Sequence, residues 1–248
     1  MRFKVVSLLL VSLLTSFNSQ AQFGMGVGFT QAQSPYRSVS SSPNTVPAYI
    51  NYEGERGYFR GIEGGLHLWK QGERSKKLTF SALAAVRMEG YKASDSGFLQ
   101  GMEKREWSLE AGVGAALQNG YNRFTAKVLT DTLGRHKGQS FDFGYAYIYP
   151  VNRKLMLIPA FNTTWQSSHL LDYYFGVKPE EASLERKAYE ATSGVQFRAS
   201  LLVNYTINPN TSLMLVSSTR WLPNSVTDSP LVDRSYVSGV FGAVNYSF

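Results

Sequence analysis

The fold class this chain predicts is all-β, an antiparallel transmembrane β-barrel of about ten strands, and three observations carry the expectation. Run after run along the chain alternates apolar and polar side chains with a period of two. Aromatic residues make up 14% of the chain, enough to supply girdles at both rims of a membrane-embedded sheet. After the first twenty-one residues no stretch approaches the roughly 20 apolar residues that a membrane helix needs, so insertion has to use strands.

Residues 1–21 read as an address label. Arg2 and Lys4 precede an apolar run from Val5 to Leu14, and Ser19-Gln20-Ala21 offers small residues where a signal peptidase cuts, so cleavage after Ala21 is expected. Residues 22–33 set Phe23, Met25, Val27 and Phe29 against Gly24, Gly26 and Gly28. Residues 34–47 are a Ser/Pro stretch with no periodicity, hence irregular backbone. Together, residues 22–47 are expected as a periplasmic or lumenal segment preceding a barrel over residues 48–248.

Two strands, 48–53 and 58–69, flank the turn Gly54-Glu55-Arg56-Gly57. In 77–88, Leu78, Phe80, Ala82, Ala84 and Val86 point outward and Thr79, Ser81 and Arg87 inward. In 106–117, Trp107, Leu109, Ala111 and Val113 oppose Glu106, Ser108 and Glu110; in 123–131, Phe124, Ala126 and Val128 oppose Arg123, Lys127 and Asp131. The clearest alternation is 139–149, where Phe141, Phe143, Tyr145, Tyr147 and Tyr149 oppose Ser140, Asp142, Gly144 and Ala146. Residues 153–166, 193–205 and 211–221 follow, with Pro159 at a local defect in the ladder and with Arg198 and Arg220 facing inward.

The last strand, 235–248, puts Tyr236, Val240, Val244, Tyr246 and Phe248 on one face. Tyr236 and Tyr246 stand roughly 24 Å apart in membrane depth at about 45° of tilt, the height of an apolar band with an aromatic at each rim. Ending on Phe248, with Tyr246 two residues before it, resembles the signal by which the barrel assembly machinery recognises outer-membrane barrels. Single-chain bacterial barrels have an even strand number, short periplasmic turns and longer outer loops. Counting back from Phe248 yields ten strands from residue 48. Twelve, with 170–177 as a further crossing, is the alternative.

The formal charge is +7, or +5 once Arg2 and Lys4 leave with the leader. An exported chain this mildly basic, with no clustered basic run, is expected to meet outer-membrane lipid and not nucleic acid. There is no cysteine, which excludes disulfide staples and thiol chemistry. The three histidines, His67, His136 and His169, are scattered, so no metal or other cofactor is expected. His169 with Ser167, Ser168 and Asp172 does not form a convergent triad by spacing, and no catalytic residue is assigned. Inward charges Arg87, Glu110, Arg123, Lys127, Asp131, Asp142, Arg198 and Arg220, joined by Glu63, Lys77, Glu106 and Lys154, read as an ion-paired filling. Eight strands leave room only for side chains and about 16 are needed for an aqueous channel, so selective conduction is the lesser reading.

Tyr49-Ile50-Asn51-Tyr52-Glu53-Gly54, Phe59-Arg60-Gly61, Leu68-Trp69, Asp131-Thr132-Leu133-Gly134, Asp172-Tyr173-Tyr174-Phe175-Gly176-Val177 and Thr227-Asp228-Ser229-Pro230-Leu231-Val232-Asp233, with the Tyr-x-Phe end, resemble the MltA-interacting protein (MipA/OmpV) family along essentially the whole mature chain. The resemblance implies a non-enzymatic barrel of the Gram-negative outer membrane. It also implies a scaffold joining a lytic transglycosylase to a bifunctional penicillin-binding protein, a synthase of murein (peptidoglycan); by the strand count, residues 22–47 would then be the largest periplasmic surface. A narrow permeability, transport or adhesion barrel is the alternative. The family supplies no catalytic residues. Asp172, Tyr173, Tyr174, Gly176, Asp228, Ser229 and Pro230 match its motifs without an assigned role, loop packing being the default.

Overall fold

In the computed structural model, which describes residues 22–41, 43–73 and 75–248, each alternating run pairs with the next in a meander of antiparallel hairpins. The strands are β1 (Gln22–Ala32), β2 (Asn44–Glu53), β3 (Gly57–Arg60), β4 (Glu63–Glu73), β5 (Lys76–Arg87), β6 (Ser108–Asn119), β7 (Asn122–Asp131), β8 (Gln139–Tyr147), β9 (Leu155–Gln166), β10 (Gly194–Asn208), β11 (Thr211–Trp221) and β12 (Tyr236–Ser247). Past Ile148, Tyr149–Pro150 extends β8 against Leu157 and Met156. β12 pairs with β1 from Ser247↔Gly24 to Gly239↔Ala32, which closes the sheet on itself. Among the described residues the barrel has twelve strands, and closure pairs the first strand with the last, so neither end of the sheet is left as a free edge.

The alternation decides which face meets lipid. Along β8, Phe141, Phe143, Tyr145 and Tyr147 are exposed while Ser140, Gly144 and Ala146 are buried. In β12 the outward set Tyr236, Val240, Val244 and Tyr246 is exposed, but the inward face carries buried Val237 and Phe241 as well as small residues. A bulge between His67 and Trp69 in the β4–β5 ladder turns both Leu68 and Trp69 outward. Pro159, where a ladder defect was expected, sits in an unbroken register opposite Leu201 with its ring exposed.

Two features correct the ten-strand reading. Residues 22–32 are a strand and not a periplasmic or lumenal segment: Phe23, Met25, Val27 and Phe29 face outward, and a side chain at Gly26 or Gly28 would collide with the β12 backbone at Val244 or Gly242. The run 58–69 is also two strands, because Gly61 adopts φ +63 and reverses the chain within Gly61-Ile62. Each error alone breaks the even-number rule; together they restore it. The alternative route to twelve is wrong in detail, since residues 170–177 lie mostly in helix α1 (Ser168–Phe175).

With four residues, β3 spans only about 13 Å. It pairs with β2 at Asn51, Tyr52 and Glu53, and Gly61 N–H adds a bond to Ile50 O. Among the described residues, positions 44–49 of β2 therefore have β1 as their only strand partner.

All long connections emerge at one end. Residues 33–43, 88–107, 167–193 and 222–235 lie there and bury a shared core of Tyr36, Tyr91, Leu99, Leu170, Tyr174, Phe175, Val226 and Leu231. These loops are a packed lid. The opposite end carries the short turns and the start of β1 and end of β12, with Phe248 N–H bonded to Phe23 O at 3.0 Å and the two rings 5.7 Å apart. By the loop-length rule this turn end faces the periplasm. The Gly54–Gly57 turn, which the ten-strand count from Phe248 puts on the outer side, belongs to this end. A second apolar cluster, including Tyr49, Ile148, Ile158, Leu202, Met214, Val216 and Phe241, occupies the turn-end half of the lumen beside β2 and β8–β12.

Candidate functional site: a charged chamber between two apolar layers

Between the lid and the apolar cluster the inward positions are charged. Arg87 sits at the last position of β5, where its Nε and Nη2 grip both oxygens of Glu110 at 2.7 and 3.0 Å and its Nη1 reaches Glu89 at 3.1 Å. Such fork-to-fork geometry suits arginine and not lysine. Glu89, just past β5, also receives Arg220 from β11 at 2.5 Å. Burial alone would raise the Glu89 carboxyl, but Arg220 and Arg87 outweigh it and hold it down to about 2. Across the barrel Lys127 meets Glu63 at 2.5 Å, and the same carboxylate accepts from the Tyr58 hydroxyl at 2.9 Å. Arg60 pairs with Glu53 at 2.6 Å, and His67 lies 3.4 Å from that carboxylate. The fully buried His136 places Nε2 at 3.2 Å from Glu110.

Of these groups, Glu63, Arg87, Glu89, Glu110, Lys127 and Arg220 face a cavity of about 240 Å³ lined by residues of β1 and β4–β12. Of the expected lumen charges, Arg87, Glu110, Arg123, Lys127, Asp142, Arg198 and Arg220 all line it. Asp131 does not. It stands at the rim, where its carboxylate accepts from Ser108 and from the backbone N–H groups of Leu133, His136 and Lys137, shaping the β7–β8 loop. Glu106 is above the rim with Lys104 and Arg135, and Lys154 is exposed in the turn before β9. Glu89 and the Arg105–Glu181 pair went unnoticed in the sequence because they lie in loops, where no period marks a direction.

The family-motif positions belong to the lid. Asp172 Oδ1 accepts from Ala191 N–H at 2.9 Å, and a side chain at Gly176 would strike that carboxylate. The Tyr173 hydroxyl oxygen accepts from the Glu106 N–H at 3.0 Å, and the Tyr174 hydroxyl donates to Glu106 O at 3.1 Å. Ser229 donates to Phe175 O at 2.6 Å, binding the last loop to α1, and Asp228 caps the short helix α2 (Asn224–Thr227) while Pro230 follows half-buried. Tyr246 and Phe248 are exposed at the turn end with their rings 5.0 Å apart. Ser168 and His169 are exposed on α1 and share no center with Asp172. Among the described residues, no group of three or more His, Asp or Glu side chains is arranged to hold a metal ion.

Comparison with known proteins places this geometry. The chain is 28% identical over 234 residues to the MltA-interacting protein of Escherichia coli strain K12, covering 93% of this chain and 92% of the relative. It is 26% identical to the putative outer membrane protein YiaT of Escherichia coli O157:H7, covering 95% and 96%, and 29% identical to the outer membrane protein Omp26La of Vibrio anguillarum, covering 64% and 61%. Among solved structures, a loop L8 deletion mutant of OmpT, an outer membrane protein of Vibrio cholerae, superposes with a TM-score of 0.44 at 6% identity over 92% of this chain and 99% of that one. The family model for MltA-interacting protein MipA matches residues 25–248, from Met25 within β1 to the terminal phenylalanine, and the chain belongs to that family.

Proposed function

We propose that this chain is a non-enzymatic docking barrel of the Gram-negative outer membrane that holds a lytic transglycosylase, and with it a murein synthase, at the periplasmic face. The observation that carries the reading is a lumen occupied at three levels: lid core, ion-paired chamber and apolar cluster. A barrel filled in this way offers surfaces and not a pore. The names of the E. coli and Shigella flexneri relatives, both MltA-interacting proteins, supply the class of partner. The leader, residues 1–21, lies outside the described residues; its cleavage after Ala21 and delivery through the barrel assembly machinery belong to the same proposal.

The docking surface follows from the topology. With residues 22–32 built into the wall, the described turn end consists of the turns after β2, β4, β6, β8 and β10, the start of β1 and the end of β12. There Arg56, Lys76, Lys77, Arg153 and Lys154 outnumber Glu55 and Glu73, while Lys70 clamps the first turn through Gly54 O and Glu55 O at 3.1 and 2.6 Å. A partner with an acidic face is favoured, and such charges govern association rate more than affinity. Immobilised barrel should capture a purified lytic transglycosylase, and the triple variant Arg56→Glu, Arg153→Glu, Lys154→Glu should lose most of that capture at low salt. Capture unaffected by the reversals, or abolished only by trimming the lid, refutes this face. The charged cavity favours one competing reading, a narrow permeability pathway, and stepwise single-channel currents from the intact barrel would establish it instead.

A further inference from the structure

We propose that the chamber binds a small oxyanion, a phosphate, sulfate or carboxylate group, between the guanidinium groups of Arg123 and Arg198. The site is independent of whatever docks at the turn end.

The pairing pattern of the chamber leaves these two arginines over. Glu110 is taken by Arg87, Glu89 by Arg87 and Arg220, Glu63 by Lys127 and Glu53 by Arg60. Asp142 accepts from Thr164 Oγ1 at 2.8 Å and Asn162 Nδ2 at 3.3 Å, and makes no ion pair. Among the described residues neither Arg123 nor Arg198 has a carboxylate within ion-pair distance, and the Nε of each is buried with no hydrogen-bond partner. A guanidinium does not shed its proton in a protein, so two such groups facing one cavity carry a desolvation cost that an anion relieves.

The strand register builds the seat. Arg198 on β10 lies in the row that continues through Asn162 and Gly144 to Thr125; Arg123 on β7 lies in the neighbouring row through Ala146 and Ala160 to Ser200. The two backbones are thus three strands, about 14 Å, apart. Between them Gly144, Ala146 and Ala160 form a floor of small residues, and a side chain at Gly144 would press on the side chains of Asn162 and Thr125. Both arginines line the same 240 Å³ cavity as that floor. Arg198 also stands directly opposite Arg220, so the positive field is reinforced. The volume lies below the roughly 300 Å³ at which pockets for drug-sized ligands begin, which admits a single oxyanion with a few waters and excludes a glycan chain.

The test uses the full mature chain folded in detergent, with inorganic phosphate, sulfate or acetate titrated against chloride at constant ionic strength, read by calorimetry and by thermal unfolding. Saturable binding of at least one probe is expected, with a matching rise in unfolding temperature. Comparing phosphate with acetate tells a phosphate-type from a carboxylate-type ligand. Arg198→Gln and Arg123→Gln should each weaken binding tenfold or more, and Asp142→Asn, which removes the nearest uncommitted negative charge, should tighten it. The double glutamine variant should be no less stable than the parent in chloride, since it deletes uncompensated charge. Absence of saturable binding for all three probes overturns the proposal, as does binding that survives in the double variant. If the glutamine variants fail to fold, the Asp142→Asn arm decides: unchanged affinity overturns the site.

Discussion

Replacing Glu181 with Gln should open the lid while leaving the barrel standing. Glu181 is buried among the loops and holds three groups at once: Arg105 Nη2 at 2.8 and 3.0 Å, the Glu103 N–H at 2.8 Å and the Lys178 N–H at 3.1 Å. Arg186 then reaches from the same turn to Glu181 O, Phe98 O and Gln100 O, so this one knot ties residues 167–193 to 88–107. The substitution keeps the shape but leaves the buried Arg105 with only the exposed Glu103 carboxylate, 3.6 Å from its Nη1, and losing the buried partner of such an ion pair costs up to about 3–5 kcal/mol. If the lid opens as a unit separate from the strands, amide exchange in peptides covering 98–107 and 176–190 should speed up by about two to four orders of magnitude. Strand β9, Leu155–Gln166, serves as the internal reference. The pH dependence runs the same way. Burial alone would raise the Glu181 carboxyl, but the two backbone donors and Arg105 together lower it, so its contribution is complete above the ordinary glutamate value of about 4.3 and fades as pH falls through the folded value. Exchange rates unchanged in the variant, or strands accelerated as much as the loops, would refute the separate-lid argument.

Three further outcomes follow from the same geometry. Gly61→Val should destabilise the barrel by at least about 1–2 kcal/mol, the cost of a left-handed backbone for a residue with a side chain, read as lower folding yield and a lower unfolding temperature. Ser229→Ala removes the bond to Phe175 O and leaves a buried carbonyl unsatisfied, so exchange in α1 should rise by a factor matching about 1–3 kcal/mol. Deleting Phe248 removes an exposed ring and its contact with Phe23, which caps the stability loss at about 1.5–3 kcal/mol, yet outer-membrane levels of the protein should fall much further. Normal levels of the truncated chain would remove the terminal aromatic from assembly.

Where the outward face is lipid and the inward face is crowded, direction could be read from residues alone. Phe141 to Tyr147 on β8 and Tyr236 to Tyr246 on β12 stand as their period demands, because a slip of one residue would turn a whole aromatic face into the lumen. Seven of the eight lumen charges likewise reach the chamber. The reversal at Gly61 was hidden because β3 is four residues long and the run on either side of the turn keeps alternating, so period alone cannot see it; the only local sign was Gly61 followed closely by Gly64 and Gly65. β1 was discounted by the parity that the hidden turn had already falsified. The lid partners were beyond reach for a different reason: Glu181, Arg105 and Arg186 meet across some eighty residues of sequence, through contacts that carry no period.

The corrected topology changes how a scaffold role has to be tested. A segment hanging free in the periplasm could be deleted and partner capture measured, and residues 22–47 invited that experiment. As built, β1 has β12 on one side and β2 on the other, and β2 already lacks a second strand partner over residues 44–49. Removing β1 would expose the full edge of β12 and take from residues 45–49 of β2 their strand partner, inside a hydrocarbon layer where each unsatisfied backbone group costs several kcal/mol. Loss of capture after such a deletion would report a broken barrel and say nothing of docking. The contact surface is instead spread over five short turns, none large enough alone for the about 800 Å² that a specific interface buries per partner. Capture should therefore weaken in steps as charges on separate turns are reversed. A single turn whose reversal abolishes capture would indicate a small, local contact, and the partner would then have to reach into the barrel mouth beside Phe23 and Phe248.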